Sequence, residues 1–96
     1  DLYRPGIYAA GKLKLTHLRT TVEDMAMRAN PFVRREAVIA LRRMRDVAAI
    51  PVLIGRLKDD LPGVRVEAQK ALEALTGLRH RRGYEQWQRW HQQNHR

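Results

Sequence analysis

The sequence predicts an all-α fold, a short right-handed α-solenoid in which antiparallel helix pairs stack and an aromatic helix caps the C-terminal end. Three observations predict this fold. A segment recurs at a spacing of 31 residues, apolar residues recur at helical intervals, and the periodic segments lack the alternation and turn dipeptides of β-hairpins. We therefore treat residues 1–96 as one domain with repeats at about 5–30, 31–60 and 61–96.

The internal repeat predicts where each helix begins. A shift of 31 residues superposes seven identical pairs: Pro31 and Pro62, Val33 and Val64, Arg34 and Arg65, Glu36 and Glu67, Ala37 and Ala68, Ala40 and Ala71, and Leu41 and Leu72. Because proline suits the first turn of a helix, first helices are predicted at about residues 5–15, 31–45 and 62–76. Second helices are predicted at about residues 17–29 and 48–59, where apolar positions again share one face.

Two segments resemble a known family. Residues 33–41 (VRREAVIAL), followed after a short turn by residues 48–59 (AAIPVLIGRLKD), are similar to the bacterial HEAT repeats, also called phycobilisome-lyase HEAT-like repeats. Residues 75–77 (LTG), followed by residues 83–90 (GYEQWQRW), are similar to the ending of many such arrays. The resemblance implies a helical solenoid that binds other macromolecules, and it supplies no catalytic motif that maps onto this chain.

Basic residues dominate the charge of the chain. Lysine and arginine number 19 against 10 acidic residues, so the formal net charge is +9. Such an excess favours acidic proteins, nucleic acid and anionic surfaces as partners. The arginines that predict a basic patch crowd one helix and the loop before the last helix: Arg34, Arg35, Arg42, Arg43, Arg45, Arg79, Arg81 and Arg82. A solvated charged surface without a partner is the alternative interpretation.

The residues offer little for catalysis, cofactor binding or metal binding. The absence of cysteine excludes disulfides and thiolate sites, and the four histidines lack the spacing of a metal site. No nucleophile and base stand in a recognisable pattern, and no apolar run approaches the roughly 18–20 residues of a membrane span. We therefore expect a soluble protein that is not an enzyme and needs no cofactor or metal, with a cytoplasmic location favoured.

An aromatic stripe near the C-terminus has two interpretations. Tyr84, Trp87, Trp90 and His91 fall on one side of a predicted last helix. They are suited to stacking on the bases of single-stranded nucleic acid, because basic residues lie nearby. They are equally suited to covering the open end of the stack, which a terminal repeat must do. The family resemblance favours the second interpretation.

The N-terminal end of the stack has no comparable cap. The four residues before Pro5 are too few for a covering helix, so apolar side chains of the first repeat should stay exposed. We predict that residues 2–22 form the main protein-binding region and that the chain ends a longer array or is a tightly held subunit. The predicted contact residues are Leu2, Tyr3, Ile7, Leu15, Leu18 and Val22. A protein partner is the first hypothesis and nucleic acid the second, and the oligomeric state is left open.

Overall fold

The computed structural model describes residues 5–79 and 83–94, with side chains described from residue 15 onward. Within these residues the chain forms five α-helices and one 3₁₀ turn, and it contains no β-strand. The elements in order are α1 (Pro5–Arg28), α2 (Pro31–Met44), the 3₁₀ turn (Val47–Ala49), α3 (Ile50–Arg56), α4 (Pro62–Thr76) and α5 (Tyr84–Asn94). The predicted all-α solenoid is confirmed.

The first repeat differs from the predicted pair of helices. The sequence predicts helices at about residues 5–15 and 17–29, but α1 is one continuous helix of 24 residues. The predicted break falls at residues 14–17, which contain neither proline nor glycine. Continuing the helix there adds hydrogen bonds without a second nucleation step, so nothing local favours a turn. The prediction of two helices was therefore wrong for this repeat.

A side-chain cap begins α2, and a left-handed residue ends it. The Asn30 side chain accepts a hydrogen bond from the Val33 N–H at 3.1 Å, and proline occupies the first helical position. The helix ends at Arg45, whose φ of 54° lies in the left-handed region. The Asp46 side chain then accepts from the Ala48 N–H at 3.0 Å and starts the 3₁₀ turn. These contacts supply partners for backbone groups that helix ends leave unpaired.

The start of α4 is organised by Asp59 and not by its neighbour Asp60. The N-terminal cap position is Leu61, and no side chain caps it. The Leu61 N–H donates instead to Asp59 Oδ1 at 3.0 Å. Asp59 is buried and Asp60 is exposed, so the two neighbouring carboxylates have different roles. At its other end α4 stops at Gly77, whose φ of 74° suits glycine.

The core lies between α2, α3 and α4. Helix α2 packs against α1 on one side and α4 on the other, and α4 also packs against α3. The largest fully buried aliphatic side chains of the core are Leu41, Leu53, Ile54, Leu72, Val38 and Val64. Ala68 and Ala71 are fully buried in α4, where their small side chains allow close packing of the neighbouring helices. Burying each large aliphatic side chain stabilises the fold by roughly 1.5–3 kcal/mol.

The last helix, α5, packs against α3, and its aromatic residues make specific contacts. Trp87 is fully buried, and its indole N–H donates to Gln69 Oε1 at 3.0 Å. Trp90 meets Trp87 edge to face, with ring centroids 5.7 Å apart and an interplanar angle of 83°. The ammonium group of Lys58 lies 3.9 Å from the centre of the Tyr84 ring. The helix therefore forms where the sequence predicts it, and its role as a cap stays a prediction.

The core assignment predicts opposite outcomes for two substitutions three residues apart. Ala71→Glu should unfold the chain or lower its free energy of unfolding by about 3–5 kcal/mol, because an unpaired carboxylate would be buried between helices. Ala74→Glu, on the exposed side of the same helix, should change it by no more than about 0.5 kcal/mol. Urea unfolding followed by circular dichroism measures both, and equal stabilities for the two variants would contradict this packing.

The buried indole predicts that Trp87→Ala lowers the free energy of unfolding by about 3–5 kcal/mol, because a large cavity replaces a fully buried ring. Gln93→Ala, at an exposed position of α5, serves as the control. If Trp87 is a stacking platform instead, its removal should leave stability unchanged and abolish binding to single-stranded nucleic acid. Thermal unfolding and fluorescence anisotropy with an oligonucleotide separate the two interpretations.

Candidate interaction surface

An apolar groove runs between α1 and α2, which are joined by only two residues and therefore lie antiparallel. Near that connection it forms a depression of about 280 Å³, whose lining residues are Val22, Met25, Phe32, Val33, Glu36, Ala37 and Ala40. At the opposite end of α2 it forms another of about 410 Å³, lined by Leu15, Leu18, Met44, Arg45, Asp46 and Val47. The two depressions lie near opposite ends of α2, and we refer to them together as the groove.

The groove is bordered by large apolar side chains that face solvent. Phe32 is 81% exposed, Leu15 is 63% exposed and Leu18 is 50% exposed. Single exposed apolar residues are ordinary, but several that border apolar depressions along the same pair of helices are typical of a contact surface. These residues are therefore the first candidates for contact with another molecule.

The exposure of the groove follows from the continuous α1. The opposite side of α2 is covered by α4, the first helix of the next repeat. The 31-residue repeat places the preceding first helix at about residues 5–15, where it would cover the groove side of α2. In the structure these residues belong to α1, so within residues 5–79 and 83–94 no preceding first helix covers the groove side of α2.

The structure brings together part of the predicted contact set. Leu15, Leu18 and Val22 all line the groove. Ile7 lies in the part of α1 whose side chains are outside the described residues, and Leu2 and Tyr3 also lie outside them.

The prediction missed Met25 and Phe32, the latter being the most exposed of the large apolar residues described. Met25 could have been found, because it continues the series of Leu18 and Val22 by one further helical interval. Phe32 lies in the first turn of α2, one residue before the recognised stripe begins at Val33, and the pattern gave no indication of its exposure.

Arg34, a member of the predicted basic patch, is engaged inside the fold. Its guanidinium binds the buried carboxylate of Asp59 through two hydrogen bonds, Nε to Oδ2 at 2.9 Å and Nη2 to Oδ1 at 3.0 Å. Its Nη1 also donates to the backbone carbonyl of Ala29 at 3.0 Å. The positive charge of this arginine is therefore paired with a carboxylate that lies buried in the turn before α4.

Asp59 has further partners that hold it ionised. Arg56 Nη1 donates to its Oδ2 at 2.9 Å, and the Leu61 N–H donates to its Oδ1. Burial alone would raise the pKa of Asp59, but the hydrogen bonds from Arg34 and from the Leu61 backbone, with the charges of Arg34 and Arg56, outweigh it. The pKa of this carboxyl therefore lies below its ordinary value.

Arg65, the repeat equivalent of Arg34, makes a repeated backbone contact. Its Nη1 donates to the carbonyl of Asp60 at 3.2 Å, five residues earlier, as Arg34 does to the carbonyl of Ala29. It also donates to the carbonyl of Asp59 at 2.6 Å. The arginine that the repeat preserves therefore closes the turn before its own helix, and its recurrence in the sequence reflects this contact.

The other described arginines of the predicted basic patch are either close to carboxylates or exposed. Arg35 pairs with Glu36 at 3.3 Å, and Arg42 lies 3.9 Å from the nearly buried Glu67. Arg42 and Arg79 share a depression with Lys70, Glu73 and Ala74. The remaining members are Arg43 and Arg45, which are exposed, and Arg81 and Arg82, which lie outside the described residues. Among the described residues, carboxylates therefore interrupt the predicted basic patch.

Comparison with known protein families agrees with this geometry. Residues 7–80 match the family of HEAT repeats. The chain belongs to the HEAT-repeat family. No curated protein and no solved structure matches the sequence closely enough to add a relative. The match is to HEAT repeats in general, so the likeness to the phycobilisome-lyase branch stays a resemblance.

HEAT repeats generally mediate protein interactions as scaffolds, so their function depends on exposed surfaces. Among the described residues no cluster of three or more His, Cys, Asp or Glu side chains could hold a metal ion. None of the described helices is both long and apolar enough to cross a membrane. The groove is therefore the strongest candidate interaction site in the described part of this HEAT protein.

A further depression of about 600 Å³ lies at the C-terminal end of the HEAT stack. It is lined by the start of α3, the end of α4 and one side of α5: Val47, Ala48, Ile50, Pro51, Leu75, Thr76, Trp90, His91 and Asn94. Trp90 forms part of its wall although Trp87 of the same helix is buried. The aromatic stripe predicted from the sequence is therefore divided between the core and an open surface.

The contacts of Asp59 predict a large loss of stability on its removal. Asp59→Ala should lower the free energy of unfolding at neutral pH by about 3–5 kcal/mol, because the cations paired with this carboxylate lose their partner. Asp60→Ala, one residue away and exposed, should change it by no more than about 0.5 kcal/mol.

The dependence on pH follows from the lowered pKa of Asp59. The contribution of ionised Asp59 to the free energy of unfolding is fully present above the ordinary carboxyl pKa of 3.8. It is lost as the pH falls below that value through the pKa of the folded state. The difference between wild type and Asp59→Ala should therefore shrink below about pH 4. Urea unfolding at several pH values tests this, and a constant difference down to pH 2 would contradict the ionised pair.

Proposed function

We propose that this chain is a non-catalytic interaction module that binds another protein through the groove between α1 and α2. The observation that carries the proposal is the exposed Phe32 beside Met25 at one end of an almost wholly apolar groove. An aromatic anchor within a concave apolar surface is the kind of feature that contributes most to protein–protein affinity. Membership of the HEAT-repeat family supports the same function.

The contact surface that we propose extends the one predicted from the sequence. Leu2, Tyr3, Ile7, Leu15, Leu18 and Val22 remain its members, and Met25 and Phe32 join them. The arginines around it would accelerate the approach of an acidic or mixed partner more than they would hold it, because exposed charges chiefly affect association rates. The proposed cap at α5 would leave the N-terminal side as the open side of the stack.

Binding of nucleic acid through the arginine-rich face is the second candidate. It is favoured by the net charge of +9 and by the exposure of Arg43, Arg45 and Arg79. It is weakened by the engagement of Arg34 with Asp59 and by the carboxylates beside Arg42. A backbone-directed interaction with DNA should lose affinity steeply with added salt.

Site-specific photocrosslinking tests the protein-binding function. A benzophenone amino acid placed at Phe32 should form crosslinks to protein in cells that express the chain, and Leu18→Glu in the same chain should remove them. The same amino acid at Val66, 53% exposed on α4, is the matched control and should crosslink much less. Equal crosslinking from both positions, or none from Phe32, would refute the groove as the contact surface.

Titration of the purified chain with generic duplex DNA decides the second candidate. Binding with a steep salt slope, reduced when Arg43 and Arg79 are both replaced by Ala, would move the function to nucleic acid. We expect weak binding at low salt that disappears near physiological ionic strength, as for any strongly basic surface.

A further inference from the structure

We propose that the partner in the groove is a second copy of this chain, with the two α1 helices lying antiparallel and each occupying the groove of the other copy. The inference rests on the proposed function, because it uses the same groove and names its occupant.

The first observation is the difference in length between α1 and α2. At about 1.5 Å per residue, the 24 residues of α1 span about 36 Å and the 14 residues of α2 about 21 Å. The end of α1 lies beside the start of α2 at their two-residue connection. Leu15 of α1 shares a depression with Met44 and Val47 at the far end of α2. Residues 5–14 of α1 therefore extend past α2, by about 15 Å.

The second observation is an apolar series that covers both parts of α1. Leu15, Leu18, Val22 and Met25 follow one another at helical intervals and line the groove. Positions 11 and 7, a glycine and an isoleucine, continue the series at intervals of four residues. The series therefore passes from the groove into the part of the helix that α2 cannot cover.

The third observation is that this series is complementary to itself when reversed. In an antiparallel pair of α1 helices, position 7 meets Met25 of the second copy, position 11 meets Val22, and Leu15 meets Leu18. Glycine at position 11 opposite Val22 allows the two backbones to approach closely. Each extended segment then reaches the groove of the other copy beside Phe32. A surface that matches its own copy in this way is what a two-fold symmetric interface requires.

The charges of the groove favour a second copy over an acidic partner. Glu36 is the charged residue that lines the depression beside Phe32. At the other end Arg45 and Asp46 both line the depression. Asp46 pairs with Arg19 at 2.9 Å, and Arg19 also pairs with Glu23 at 3.3 Å, so two arginines stand against two carboxylates. An acidic partner would find no excess of cations there, whereas an apolar helix face requires none.

Sedimentation equilibrium of the purified chain is the first test. We expect a dimer of twice 11.2 kDa, which is 22.4 kDa. Leu18→Glu should weaken dimerisation by at least about 30-fold, because it places a charge at the centre of the pair. Val66→Glu, a change of the same kind at an equally exposed helical position, should leave the dimer intact. Phe32→Ala, at a side chain 81% exposed, provides a second variant with little effect on folding.

Added salt distinguishes this partner from an acidic one. Two copies that each carry +9 repel one another, so added salt should leave the dimer unchanged or strengthen it. A complex with an acidic protein should weaken instead. A dimer that dissociates on addition of salt would overturn the proposal.

Disulfide trapping tests the antiparallel arrangement, because the chain contains no cysteine of its own. Mixing Ile7→Cys with Met25→Cys should give a linked heterodimer, and mixing Ile7→Cys with Val66→Cys should not. Within one copy, positions 7 and 25 lie about 27 Å apart along α1, beyond the reach of a disulfide. A link formed inside one chain carrying both substitutions would show that the helix folds back on itself and would overturn the proposal.

A strictly monomeric chain at all concentrations would also overturn the second-copy proposal. So would a dimer that Val66→Glu disrupts and Leu18→Glu does not. Neither result refutes the proposed function, which depends on whether position 32 crosslinks to any protein, a second copy of the chain included.

Discussion

Asp59 joins α2 to the turn before α4 through one buried carboxylate. Its two oxygens receive both hydrogen bonds of the Arg34 fork, one from Arg56 and one from the Leu61 backbone. A carboxylate at 5% exposure would be costly to bury unless it were paired and hydrogen-bonded, and this one is both. The same contacts fix the path of the chain between α3 and α4, and with it the position of α4 against α2. The side of α2 that remains for another molecule follows from that placement.

Asp59 and Arg34 also show why the charges of this sequence were hard to interpret. A run of arginines on a basic chain predicts a free patch, yet the repeated arginine is used inside the fold. Burial separates Asp59 from Asp60, although the two are adjacent and chemically identical. The distinction depends on the tertiary position of the turn, which periodicity does not encode. A better sequence signal was available in the repeat itself, because the superposition of Arg34 on Arg65 indicates a structural position.

Local patterns did predict the starts of α2 and α4 and the existence of α5. Pro31 and Pro62 start their helices as expected, and Gly77 ends α4 in the left-handed region. The first repeat was predicted less well, because its break was inferred from the register of better copies and not from any residue that stops a helix. Of the predicted contact residues, Leu15, Leu18 and Val22 were found from their helical spacing. Phe32 could not be found, since its exposure depends on tertiary packing: no helix in the described part of the chain covers it.

The continuous α1 determines which apolar surfaces of this HEAT unit are left uncovered. Each helix pair of a solenoid buries its apolar faces against the pairs on either side. Helix α2 has the following first helix, α4, beside it, but among the described residues no preceding first helix lies over the groove that α2 forms with α1. A helix that turned back at residue 14 would cover the groove within the same chain. A helix that continues straight leaves the groove open and carries its own apolar series out beyond α2 at the same time. One change in helix path therefore creates both halves of a complementary surface, and each half can be satisfied by the other half of a second copy.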